Sequence, residues 1–150
     1  MNDEKKFQDL KSYRAPFLDI LGAELQSFQS NPPLLVMQFL AKEEICHSNG
    51  TIVQGGFVTA MLDVPMAHLV IGLLERKYNP MTLDITVNFV AAAGPGKLFC
   101  NSRVIKLGKT IGFLASELYQ DEEIVATATS TVRLVPMAST YTPKSQDSPS

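Results

Sequence analysis

Thiols and imidazoles are scarce in this chain. Its two cysteines, Cys46 and Cys100, stand far apart with no C-x-x-C spacing, and its two histidines, His47 and His68, lack the interval that sets two rings on one helix face. That pattern argues against a metal centre and for two reduced thiols. Net charge is equally small: 13 Lys and Arg against 15 Asp and Glu leave a formal −2, so no broad positive field exists to hold nucleic acid. The opening MNDEKKFQDLKSY mixes both signs of charge without an apolar segment and does not read as a signal peptide, which makes a cytoplasmic location the expectation. Long hydrophobic runs are missing with one exception. Residues 57–74 form an 18-residue apolar stretch, the lower limit for a spanning helix. An aspartate near its centre would cost about 2.5–3.5 kcal/mol in a bilayer, and Pro65 and His68 weaken the case further, so no membrane role is expected.

What remains is ordinary globular composition, 45% hydrophobic and 19% charged, at a length that lets folding bury roughly 68–70% of the unfolded surface around one core. Residues 1–15 read as a charged tail (1–6) followed by a short helix (7–13) that Pro16 stops, 16–136 as one folded domain, and 137–150, rich in Ser, Thr and Pro, as a flexible tail. AELQSFQSN (23–31) and LLVMQFLA (34–41) are predicted strands on either side of the Pro32-Pro33 turn, and KEEICHSNGTIVQ (42–54) an irregular loop. From Gly56 to about Arg76 the chain is apolar all round and too long for a strand, which predicts a buried helix. Four strands follow at 82–92, 97–107, 110–120 and 123–135, joined by GPG, GK and DE, and joints this short predict antiparallel neighbours. In the first of them Leu83, Ile85, Val87 and Phe89 alternate with Thr82, Asp84, Thr86 and Asn88, predicting one face for each set. A lone helix that is apolar all round must be wrapped by the sheet or covered by a second copy of the chain, so dimerisation is expected.

One carboxylate interrupts that helix. At 100° per residue Gly56 and Asp63 lie about 20° apart around the axis and two turns apart along it, with Thr59, Ala60, Met66 and Ala67 on the same side. Desolvation raises the pKa of such an acid unless donors compensate, which suits a base or nucleophile near neutral pH. Two residues on, Pro65 deletes a helical hydrogen bond, frees the Met61 carbonyl and predicts a kink just past the acid.

The ordered blocks SNGTIVQGGFVTAMLD, TLDITVNFVAAAGPGKL and VIKLGKTIGFLASELYQDEEIVATATSTV resemble the hotdog-fold acyl-CoA thioesterases of the phenylacetyl-CoA thioesterase (PaaI-like) branch, from about residue 32 to 135. The resemblance implies an α+β fold in which a curved antiparallel sheet wraps one central helix. It also implies homodimers, and tetramers built from them, with active sites where two chains meet, an aryl- or acyl-CoA substrate, and no cofactor beyond the coenzyme A that the substrate carries. Gly55 would bind the thioester oxygen through its N–H, and Asp63 of the other chain would drive hydrolysis. One chain cannot do both, because two helical turns separate its own Gly55 and Asp63 by about 10 Å. Thr82 would orient the attacking water. Asn49, Gly56 and Thr59 complete the substrate-facing set, and Arg103, Lys106 and Lys109 are candidates for the nucleotide phosphates. Gln54 departs from the pattern, since many relatives carry His there; its amide can still donate to a carbonyl or hold the loop. That departure motivates the alternative of a non-catalytic acyl-CoA binding or sensing module, while a hotdog dehydratase is disfavoured because the glycine-pair loop carries no catalytic His. The lone His47 and His68 read as structural or exposed. Met61, Met66 and Met81 read as core or acyl pocket, with Phe57, Met61 or Phe89 as the pocket floor.

Overall fold

The computed structural model describes residues 1–139; of the tail expected at 137–150, Met137–Ser139 form a 3-10 turn whose Met137 N–H bonds the Lys77 carbonyl at 2.9 Å, and 140–150 lie outside the described residues. The apolar run becomes one helix, here called α3 (Gly55–Leu73), which continues unbroken through Pro65. Around it lies a six-stranded antiparallel sheet in the order β1 (Glu24–Ser30), β2 (Pro33–Ala41), β6 (Gly96–Leu107), β7 (Ile111–Gln120), β8 (Glu123–Pro136) and β5 (Tyr78–Phe89). α3 touches all six strands. Six strands spaced about 4.8 Å apart make a ribbon roughly 24 Å wide against a helix about 10–12 Å across, so the sheet must curl around the helix to reach it everywhere. By length and composition α3 is the one helix among the described residues that could cross a membrane; here 61% of its most apolar window is buried inside the fold. Its far end depends on a glycine: a Cβ at Gly72 would stand 2.8 Å from the Phe28 ring and 3.2 Å from Leu10, so only Gly lets the helix settle this close.

Four expectations need correction. Residues 1–6 are not simply a tail, because α1 spans Asp3–Ser12. Asn2 caps it by accepting the Lys5 N–H at 2.9 Å, Asp3 bonds the Ser30 hydroxyl at 2.6 Å, and Leu10 is buried. A single turn, α2 (Phe17–Ile20), starts at Pro16. The loop at 42–54 has order of its own: a 3-10 turn at Glu43–Ile45 leads into a small hairpin of β3 (Cys46–His47) and β4 (Ile52–Val53).

The third correction concerns the GPG joint. Short turns do pair β6 with β7 and β7 with β8, but β5 and β6 are not neighbours: β5 pairs with β8 at the sheet edge, and residues 90–95 carry the chain past the β7–β8 turn to β6. Six residues reach at most about 20 Å, enough for the three inter-strand gaps of about 4.8 Å each. Hydrogen bonds from Val90 and Ala91 to the Val125 carbonyl, and between Gly94 and Gln120, hold this crossing down.

The fourth correction positions the site. A bulge at Leu83 breaks the β5–β8 register, with Thr82 opposite Val132 and Asp84 opposite Thr131. The extra residue shifts parity, so Thr82 joins the face of Ile85 and Val87 instead of that of Asp84 and Thr86. Leu83 is left 59% exposed.

Candidate active site

The entrance of α3 is built by Gln54, Gly55 and Gly56. Gln54 is the N-cap residue, with φ −63° and ψ 138°, and its side-chain oxygen accepts the Phe57 N–H at 3.2 Å. With Oε1 so committed, the Gln54 NH₂ is the free half of the amide, a donor at the helix entrance. Gly56 makes this possible, since a Cβ there would lie 2.7 Å from Gln54 Oε1. Among the described residues neither the Gly55 nor the Gly56 N–H meets an acceptor, as expected for the first turn of a helix. These donors, at the positive end of the helix dipole, are what an oxyanion needs.

Two turns further along, Asp63 lies on the stripe of α3 that the sheet leaves uncovered, together with Gly56, Thr59, Ala60 and Ala67; Met66, expected beside them, is fully buried instead. The bulged Thr82 donates its hydroxyl to Asp63 Oδ1 at 3.0 Å. Burial pushes the Asp63 carboxyl above its ordinary range, and the Thr82 hydrogen bond pulls the other way. The carboxylate keeps an opening to solvent, being only half-buried in one chain. Because Thr82 steadies the ionised form, Thr82→Val raises the Asp63 pKa further. Its kcat/KM profile is expected to lose activity at higher pH than the parent on the acid side, with kcat at neutral pH down roughly fivefold, the equivalent of about 1 kcal/mol. A pH–rate profile of both proteins checks this, and superimposable acid limbs would remove Thr82 from the site.

A cleft of about 380 Å³ opens beside the entrance, lined by His47, Ile52, Val53, Gly55, Val58, Phe89 and the chain from Val90 to Ala93. Phe89 reaches within 3.4 Å of where a Gly55 Cβ would stand. His47, read from the sequence as structural or exposed, is the polar side chain of this cleft, with Nδ1 2.9 Å from the Ser48 hydroxyl. No spacing in the sequence pointed to it; only the β3–β4 hairpin brings it there.

The other expected residues divide. Asn49 occupies the hairpin turn with φ 58°, a left-handed conformation that Asn tolerates well, so the turn alone accounts for it. Thr59 gives its hydroxyl to the Gly55 carbonyl at 2.9 Å. Arg103 leans towards Glu117 at 3.9 Å; Lys106 and Lys109 are exposed, and none of the three lines the cleft. Cys46 and Cys100 are free thiols, and burial pushes Cys100 up to about 12, where it is no nucleophile. A larger cavity, about 670 Å³, lies beneath α1 and is lined by Tyr13, Arg14 and His68 but by neither Gly55 nor Asp63. His68 donates from Nδ1 to the Val64 carbonyl, and burial holds the ring below its usual pKa.

Residues 45–133, more than half the chain, match the family model described as the acyl-CoA thioesterase N-terminal domain. Among solved structures, a phenylacetic acid degradation-related protein from Ralstonia eutropha JMP134 superposes with a TM-score of 0.78 at 28% identity, over 88% of this chain and 99% of its own. The Escherichia coli PaaI protein from the phenylacetic acid degradation operon gives 0.79 at 16% identity, over 90% and 96%. The phenylacetic acid degradation protein PaaI from Thermus thermophilus gives 0.70 at 20%, over 81% and 100%. The last two, at such identities, share the fold. No curated protein gives a significant match.

Proposed function

From the premise that the chain belongs to the acyl-CoA thioesterase family and is a thioester hydrolase, we propose that it cleaves an aryl- or acyl-CoA at a site shared between two subunits. Membership sets aside the non-catalytic binding module that Gln54 had suggested. The thioester carbonyl oxygen sits at the entrance of one α3, held by the Gly55 N–H with the Gln54 amide as second donor. Asp63 comes from the partner. Thr82 occupies its Oδ1, which leaves Oδ2 to take a proton from water, or to attack the carbonyl itself. The observation that carries the reading is the pair of unbonded glycine amides that open the helix bearing a half-exposed carboxylate two turns away, a separation only a second chain can close.

Other features support pairing of chains. Among the described residues the outer edge of β5 has no neighbouring strand, and Met81, Leu83, Phe89 and Val90 on or just after it are 46–59% exposed. The apolar Phe99, Ile105 and Phe113, exposed on β6 and β7, favour the further association of dimers into tetramers. The chemistry needs no cofactor beyond the coenzyme A of the substrate, and the exposed Lys106 and Lys109 are candidates for its phosphates. Thiol release measured over a panel of aryl- and acyl-CoA esters, with light scattering on the same sample, tests the proposal. Turnover by a dimer or tetramer is expected. A monomer with full turnover would overturn the shared site, and binding of every ester with no thiol release would overturn the reaction.

A further inference from the structure

Ser102 and Ser116 are 0% and 2% exposed, in strand rows otherwise apolar: Leu98, Cys100 and Ser102 on β6, Leu114, Ser116 and Leu118 on β7. The two serines stand opposite each other in the β6–β7 register. A buried hydroxyl adds nothing to packing that alanine lacks and carries a desolvation cost unless bonded; what it adds is a directed bond. Each hydroxyl reaches one short stretch of α3, and Ser102 also lies 3.3 Å from the Leu35 carbonyl of β2, so its single proton is shared between strand and helix. Ser116 Oγ donates to the Leu62 carbonyl at 3.0 Å and Ser102 Oγ to the Pro65 carbonyl at 3.1 Å. These carbonyls bracket Asp63. The same stretch has lost a rung of its own, since Pro65 has no N–H for Met61 O. Ser130 on β8 is a third buried hydroxyl, but it reaches the Met66 sulfur at 3.3 Å instead of the main chain.

We infer that Ser102 and Ser116 are positioning residues for Asp63: the sheet replaces the missing stiffness of the helix at Pro65 by gripping the backbone on either side of the acid, while Thr82 grips its carboxyl. Three fixed points then set where the carboxylate points. This rests on the proposed role of Asp63, and it assigns the serines no contact with substrate. A misplacement of about 1 Å at such a group costs on the order of a hundredfold in rate.

The test is the double variant Ser102→Ala with Ser116→Ala, the single Ser116→Ala should the double fold poorly, and Ser130→Ala as an equally buried control. Expected for the double variant are a kcat at least tenfold lower, a KM within twofold, and an acid limb of the pH profile displaced from the parent's. The carbon resonance of the Asp63 carboxyl should shift its titration midpoint in step, a readout independent of turnover. Ser130→Ala should keep kcat within twofold. Unchanged kcat and titration in the serine pair, or an equal loss in Ser130→Ala, would overturn the inference. Asp63→Asn run alongside separates the two levels: if it is inactive while the serine pair is fully active, only the positioning claim falls; if it too is fully active, the role of Asp63 falls first.

Discussion

Gly55→Pro is expected to leave the chain folded and to lower kcat by about 10²–10³-fold, the usual loss on removing one oxyanion donor. Few sites allow an amide hydrogen to be deleted so cleanly. Gly55 opens α3, where proline is preferred because the N–H there has no helical partner, and the preceding Gln54, at φ −63° and ψ 138°, already has the extended backbone that a following proline requires. A Cβ at this position meets only the Phe89 ring, at 3.4 Å, the edge of ordinary contact. Thermal stability should therefore stay within about 1 kcal/mol of the parent. Gly55→Ala, which adds the same Cβ but keeps the N–H, serves as the steric control and should lose less than tenfold. Thiol-release kinetics with melting curves decide it: a folded proline variant with parental kcat would mean that this amide never touches the reacting oxygen.

Asp63→Asn should lose about 10²–10⁴-fold in kcat, the range for a base or nucleophile, with KM little changed. Its stability should move the other way. Burial raises the folded pKa of Asp63 above its unfolded value, so the native state binds more protons than the unfolded state between those two values. The group's contribution to stability is therefore greatest at low pH and falls as pH rises through the folded pKa. At neutral pH the parent keeps a partly desolvated charge that the asparagine variant lacks. The variant should melt at the same temperature or higher at pH 7, and that advantage should vanish in acid. Combining the two inactive proteins tests the shared site. Mixed dimers of the Gly55→Pro and Asp63→Asn chains contain one intact site and one doubly damaged one, so random reassortment at equal amounts should restore about a quarter of parental activity. No recovery from confirmed mixed dimers would place Gly55 and Asp63 in the same subunit's chemistry or in none.

The central helix and the spacing of its key groups were legible in the residues alone, because both are local. Residues 55–73 are apolar around their whole circumference, a periodicity no strand sustains at that length, and 100° per residue fixes Asp63 relative to Gly56 whatever surrounds them. The β6–β7 and β7–β8 hairpins were legible for the same reason: a two- or three-residue joint leaves an antiparallel neighbour as the only partner within reach. The serines at 102 and 116 leave a fainter signal in the sequence, polar residues at the inward parity of apolar strands.

By itself, then, the chain determined the central helix, the β6–β7 and β7–β8 hairpins and the distance from the glycine amides to the acid along one helix, since these follow from covalent geometry and local sterics. Only the folded sheet decided where β5 goes and which way Thr82 faces. A six-residue link is long enough either to turn back or to cross two strands, and one extra residue at Leu83 reverses side-chain parity, so both outcomes are set by what lies opposite, the β8 register and the helix behind it.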